Sequence, residues 1–480
     1  MLFNSFEFAL FLPIVFVLYW YVLKTSIKAQ NVFLLVASYV FYGWWDWRFL
    51  SLIIISSTID FIAGKQIQKS TSNYKKKVFL WLSICTNLGF LGCFKYFNFF
   101  SESFANLIES VGFQTNTYSL NVILPVGISF YTFQTMSYTI DVYKGKMKAS
   151  ENVIAFFAYV SFFPQLVAGP IERAKNLLPQ FRSKREFTYD KGADGVRLIL
   201  WGLFKKVVIA DNCALVVNQV FANYDSLSGL ELVVGAVFFA IQIYGDFSGY
   251  SDIAIGTAKL LGFELMTNFK TPYFSRDIGE FWRRWHISLS TWFRDYVYIP
   301  LGGSKVSQSR VILNTFVIFI ISGFWHGANW TFILWGVLNA FYFLPLVLSG
   351  KNRKNLDTVA QGKFLPSIKE FLQMASTFTL TCIAWVLFRS KNMNEAIGFF
   401  DSFFKNEFIA SWKIEFSSGI FLVIIFWIVM EWISREKENI SVFIGDIKKP
   451  FMRKVVYAAM VLLIALAGNF NDLEFIYFQF

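Results

Sequence analysis

The 480 residues are 55% hydrophobic and 20% aromatic, and only 16% are charged, against roughly 25% in an ordinary soluble domain. That balance excludes a water-soluble globular chain. The formal charge of +12 then reads as positive charge on cytoplasmic loops rather than as affinity for nucleic acid. The expected fold is an all-α integral membrane protein. It is polytopic, with about eleven transmembrane helices plus re-entrant and interfacial helices, in a single domain over residues 1–480.

The first apolar segment, Phe6–Leu23, is interrupted only by Glu7. It lacks a basic start and a small-residue cleavage site, so it reads as a retained span. Asn31–Trp45, Phe49–Gly64 and Val78–Phe94 follow. Lys24 and Lys28, then Lys65, Lys69, Lys75, Lys76 and Lys77, fall on one side of this series, which places the N-terminus outside. Val122–Ile140 and Val153–Ala168 come next. The second ends in a polar island, Phe162–Arg173, where Pro164 and Pro170 break helix and Gly169 permits tight backbone geometry. Gln165, Glu172 and Arg173 beside that break fit either a re-entrant turn lining a cavity or a helix end with a basic loop. Simple alternation puts the basic stretch Arg173–Arg197 outside, so one segment around 122–168 is expected to be a half-span.

Val196–Val220 and Leu232–Tyr244 lead into the longest polar island, Gln242–Gly303, which opens with Asp246 and Asp252. Read as one helix, Arg276–Tyr296 gathers Phe281, Trp282, Trp285, Leu289, Trp292 and Phe293 on an apolar face. His286 points with that face, while Arg283, Arg284 and Arg294 lie away from it. Such a helix suits the interface, its arginines meeting lipid phosphates or a phosphate-rich ligand. Val311–Trp325 and Trp330–Leu348 flank a third island, Ser322–Trp330, in which Gly323 and Gly327 leave space around His326. Ile368–Phe388, Ile420–Trp432 and Val455–Leu466 complete the series. Several of these fall short of the ~20 residues that cross a bilayer and read as re-entrant or buried pieces. Arg435, Lys437, Lys448, Lys449, Arg453 and Lys454 precede the last span, which places Asn471–Phe480 outside.

Cys85, Cys93, Cys213 and Cys382 sit in apolar runs without metal-ligand spacing and read as small hydrophobes. The two histidines of the chain both fall inside polar islands. Neither has a spacing partner, so no metal is expected. Histidine suits proton transfer from a hydroxyl near neutral pH.

These islands resemble the membrane-bound O-acyltransferase family, in its bacterial branch acting on alginate, peptidoglycan, cellulose and teichoic acid. The similarity covers nearly the whole chain. It is carried by Met1–Phe8, Phe163–Ile171, Tyr244–Asp252, Phe281–Ser290 and Gly323–Trp330. The resemblance implies a ring of tilted helices around a central tunnel in the cytoplasmic membrane, entered by donor and acceptor from opposite faces. By it, His326 matches the catalytic histidine and His286 the second family position. The expected chemistry is transfer of an acyl group, most simply acetyl, to an exported or cell-wall polysaccharide. His326 would act as base, with His286, Asn329 or backbone N–H groups near Gly327 meeting the oxyanion, and Asp246 lining the tunnel. Acetyl-CoA is the expected donor, with Arg283 and Arg284 as candidate phosphate ligands and no bound cofactor. The expected partners are membrane lipid and a secreted SGNH-type transferase that reaches the polysaccharide, and no nucleic acid. D-alanyl transfer to teichoic acid, and a transporter that flips an acyl donor without chemistry, are the alternatives. The C-terminal tail carries Tyr477 in an aromatic ending similar to that of a small partner protein in D-alanylation. This makes Tyr477 a candidate acyl carrier, against an aromatic belt closing the last span.

Overall fold

The computed structural model describes residues 1–113, 118–120, 123–417, 419–470 and 475–476. Val122 and Tyr477 therefore lie outside the described residues. Those described form helices and connecting turns, without a strand. Seven helical stretches among them are long and apolar enough to cross a membrane, and Phe6–Val22, Val153–Leu166 and Gly419–Ser434 are shorter apolar ones. The protein is a multi-pass membrane protein.

Two compact units emerge. The first comprises Met1–Gly192 with Thr257–Met266. It contains α1 (Phe6–Val17), α2 (Ile27–Asp46), α3 (Leu50–Lys69), α4 (Asn73–Leu91), α5 (Phe97–Ser110), α6 (Ile128–Tyr143), α7 (Val153–Val160), α8 (Phe163–Leu166) and α9 (Ala174–Leu177). Helices α3, α4 and α6 pack together around a polar centre. Asp60 there accepts hydrogen bonds from Ser83 Oγ, Asn87 Nδ2 (2.8 Å) and Thr139 Oγ1 (3.0 Å). Asn87 Oδ1 in turn accepts from Ser56 (2.8 Å) and Thr135 (3.2 Å). The segment that reads as Val153–Ala168 is broken into α7 and α8, since Pro164 occupies the first turn of α8, where the helix lacks an N–H partner anyway. Every residue from Ser161 to Ala174 is buried. Polar groups in this stretch have partners inside the protein: Gln165 donates to Tyr159 O (3.0 Å), and Glu172 accepts from Met266 N.

The second unit comprises Ala193–Gly256 with Thr267–Phe480. It holds most of α10 (Tyr189–Leu203) and of α12 (Gly229–Leu260). Between them come a wider π-helical turn, Phe204–Ala210, and α11 (Asp211–Ala222). Helices α10 and α12 approach through glycine: a Cβ on Gly202 would lie 2.5 Å from Gly249 O, and one on Gly249 2.8 Å from Gly202 O. Small residues let helix backbones close up in this way. The expected helix over Arg276–Tyr296 is instead α13 (Ile278–Arg284) and α14 (Ile287–Phe293), broken at Trp285–His286. The remaining helices are α15 (Gln308–His326), α16 (Trp330–Leu348), α17 (Ile368–Arg389), α18 (Met393–Lys405), α19 (Gly419–Ser434), α20 (Ile440–Gly445) and α21 (Pro450–Ala467). Helices α15 and α16 form a close hairpin in which a Cβ on Gly323 would meet Phe332 O at 2.1 Å.

Candidate functional site

His326 is the last residue of α15, and Gly327 caps the helix. A Cβ on Gly327 would overlap the Phe332 ring at 2.1 Å, so glycine is what lets α16 turn back against the histidine. The imidazole is buried and boxed by aromatic rings: Trp325 at 5.0 Å between centroids, Trp335 at 5.2 Å and Phe388 at 5.2 Å. Such walls restrict the ring plane.

His286 sits at the α13–α14 break with φ of +43°, a left-handed conformation that a non-glycine residue adopts at a cost of ~1–2 kcal/mol. Asn268 holds it there. The Asn268 carbonyl accepts from Ile287 N (2.9 Å), and its Oδ1 accepts from Ser288 N (3.2 Å) and Ser288 Oγ (2.9 Å). Asn268 Nδ2 donates to Ser251 Oγ on α12 (3.2 Å). The one-helix reading fails for this reason: Asn268, through its main-chain carbonyl and its side chain, takes the N–H groups that helical continuity would have paired. The His286 ring packs on Phe247 (4.7 Å) and Trp325 (6.0 Å).

Both histidines line one cavity of about 200 Å³, with Trp282, Trp285, Ser290, Arg294 and Ser322. Trp282 Nε1–H is buried there without a partner among the described residues, an available hydrogen-bond donor beside the imidazoles. Asn329 is not among the residues lining this cavity. Its Oδ1 caps α16 by accepting from Thr331 N (3.0 Å), and its Nδ2 donates to Lys391 O (2.6 Å).

The arginines divide. Arg283 spends Nη1 on Asn352 O (2.6 Å) and Nη2 on Asn355 O (2.7 Å). Arg284 is buried in an ion pair with Glu280 (2.7 Å). Arg276 joins the same group, pairing with Glu280 (3.0 Å) and Asp357 (2.9 Å). The Arg276 hydrogen bonds hold the Asp357 carboxyl below the usual carboxylate range. Arg294, with its side chain 54% exposed and paired to Asp295, is the cationic group in the cavity wall.

Behind His286 lies a buried ionic group of which the sequence pattern singles out Asp246 and Asp252 but not the lysines. The π-helical turn buries Lys205 and Lys206. Lys206 Nζ lies 2.8 Å from Asp211 and 2.9 Å from Asp246 Oδ1. Lys205 Nζ lies 2.8 Å from Asp252 and donates to Ser248 Oγ (2.9 Å). Two adjacent lysines inside the apolar run Val196–Val220 are the signal that was available. The other oxygen of Asp246 accepts from Ile476 N at 2.7 Å. Phe475 and Ile476 are buried, and the Phe475 ring lies 4.7 Å from Tyr250 and 5.8 Å from Phe247. Among the described residues no cluster of histidine, cysteine and carboxylate side chains fits a metal.

Set against known proteins, residues 74–388 match the sequence profile of the membrane-bound O-acyltransferase (MBOAT) family. The chain is 41% identical over 396 residues to a probable alginate O-acetylase AlgI of Pseudomonas putida, covering 82% of this chain and 78% of that protein. It is 37% identical over 428 residues to a peptidoglycan O-acetyltransferase of Helicobacter pylori, covering 83% and 78%. Similarity to a teichoic acid D-alanyltransferase of Bacillus subtilis is lower, 27% over 286 residues, covering 56% and 70%.

Proposed function

The chain belongs to the membrane-bound O-acyltransferase family and is an O-acyltransferase, and from that premise we propose that it moves an acetyl group from cytoplasmic acetyl-CoA across the cell's inner membrane for O-acetylation of an exported or cell-wall polysaccharide. The observation that carries this reading is the pair of histidines lining one cavity. A hydroxyl is a poor nucleophile, and a positioned general base contributes ~10²–10⁴ in rate. His326 takes the proton of the attacking hydroxyl. The new O–C bond forms on the acetyl carbonyl, the C–S bond breaks, and the proton passes to the departing thiolate. With Asn329 outside the cavity lining, His286 and Trp282 Nε1–H are the donors assigned to the oxyanion. Arg294 meets the donor phosphates, while Arg283 and Arg284 hold the cavity mouth through the 352–357 loop. Acetyl is favoured over D-alanyl because the acetyl-transferring relatives match far more of the chain.

Both termini are assigned to the outer face, and Tyr477 to the first acceptor hydroxyl. A secreted SGNH-type transferase then carries acetyl onward to the polymer. The burial of Phe475 and Ile476 supports a tail directed into the protein. The test is mass spectrometry of the C-terminal peptide after incubation with labelled acetyl-CoA and no acceptor. Label on Tyr477 is expected in the native protein and absent in His326→Ala. Unlabelled Tyr477 together with full polymer acetylation by Tyr477→Phe eliminates the carrier step. Acetylated polymer at native level in His326→Ala eliminates the base.

A further inference from the structure

The Asp246 carboxylate is divided between two jobs. One oxygen is neutralised by Lys206, which is itself shared with Asp211. The other takes a backbone N–H from the C-terminal tail, Ile476 N at 2.7 Å. All of these groups are buried. A hydrogen bond to a buried carboxylate is among the stronger ones a chain can make, and this one is made to main chain, so it fixes the position of the tail independently of side-chain identity. Phe475 adds a ring contact to Phe247, whose ring also touches His286. The preceding chain is pinned as well: Asn469 N donates to Val207 O (2.8 Å), and Asn212 Nδ2 donates to Ala467 O (2.8 Å). The π-helical turn thus supplies both Lys206, which charges the clamp, and the carbonyl that receives the tail.

We propose that Asp246, held by Lys206, is a positioning residue that docks the chain's own C-terminal tail as an intramolecular ligand beside His286. The residue next in the chain after the clamped one is Tyr477, the carrier proposed above. This rests on the acyl-carrier reading above. It adds the requirement that acyl transfer depends on a docked tail and not merely on an intact histidine pair.

Two full-length variants attack the same hydrogen bond from either side. Asp246→Asn removes the charge, and Ile476→Pro removes the N–H. Each is expected to lower acetyl transfer roughly 10- to 100-fold, the range for losing a charge-assisted hydrogen bond. The double variant is expected to lose little more than either alone, since both break one contact. Hydrogen exchange of the C-terminal peptide reads docking without chemistry: protection is expected in the native protein and in His326→Ala, and loss of it in both clamp variants. Binding of coenzyme A is expected to be unchanged, which a general collapse of the unit would not allow. Retained protection in Asp246→Asn overturns the clamp. Lost protection with native transfer rates overturns the positioning role. A protected tail with no acetyl on Tyr477 in the native protein instead overturns the carrier reading and leaves the docking intact.

Discussion

Asp60 and Asp246 are both buried carboxylates on helices of a membrane protein, where such groups are expensive and need partners. They are satisfied in opposite ways. Asp60 is ringed by hydroxyls and an amide from α3, α4 and α6, and among the described residues no lysine or arginine pairs with it. The network closes on itself, since Asn87 passes its own acceptor to Ser56 and Thr135. Asp246 is neutralised by a lysine and spends its second oxygen on a chain terminus. A closed network of neutral donors fixes helix register, which is a structural task. A charged group that leaves one oxygen for the main chain of a segment far along the sequence is arranged to hold that segment in place. Burial alone does not separate scaffold from site, whereas the identity of the compensating partner does.

If the second polar centre is the chemical one, variants around it should cut turnover and spare folding, and variants around Asp60 should do the reverse. The largest effect is expected at His326. His326→Ala should lower acetyl transfer ~10²–10⁴-fold, the worth of a positioned base, with an unchanged melting temperature in detergent. His286→Ala is expected to cost less, about 10- to 100-fold, because the proposed oxyanion site has Trp282 as a second donor. A His286→Ala protein with full activity would make the strained turn a packing feature and weaken the contrast. Arg294→Gln should weaken coenzyme A binding only about 2- to 5-fold at low salt, and less at high salt, because exposed charges are screened. Titration calorimetry at two ionic strengths reads it, and a salt-independent loss would point to Arg283 and the 352–357 loop instead.

The local parts of this site were legible in the sequence and the long-range parts were not. His326 stood out because glycines and tryptophans flank it within a few residues, and the hairpin that surrounds it is built from neighbouring segments. The helix break at His286 was invisible, because periodicity carries through Trp285 and the interruption comes from Asn268 and Ser251. Asp246 was found as a polar residue at the end of an apolar run, but its partners Lys206 and Ile476 lie far along the chain. Only the π-helical turn brings Lys206 inward. Asn329 was named by residue type alone, and its Oδ1 caps α16 while one N–H reaches Lys391 O. Among the spans, length misled where prolines and wider turns divide an apolar run, as at α7 and α8.

The smallest effect should come from Asp60→Asn, and it is the sharpest test of the comparison because it changes charge and little else. The asparagine oxygen still accepts from Ser83 and Thr139. Its new amide faces Asn87 Nδ2, which the Asn87 side chain relieves by turning its oxygen inward. Ser56 and Thr135 follow, since a hydroxyl both donates and accepts. A network that rearranges in this way loses about 1 kcal/mol or less, so melting should shift by a few degrees and acetyl transfer should stay within about twofold of native, the kinetic equivalent of a few tenths of a kcal/mol. Asp60→Leu keeps the size and strands three donors at ~1–3 kcal/mol each, so it should unfold the first unit. If Asp60→Asn instead abolished transfer while melting normally, the negative charge itself would be in use, and the division between a structural and a chemical polar centre would be wrong.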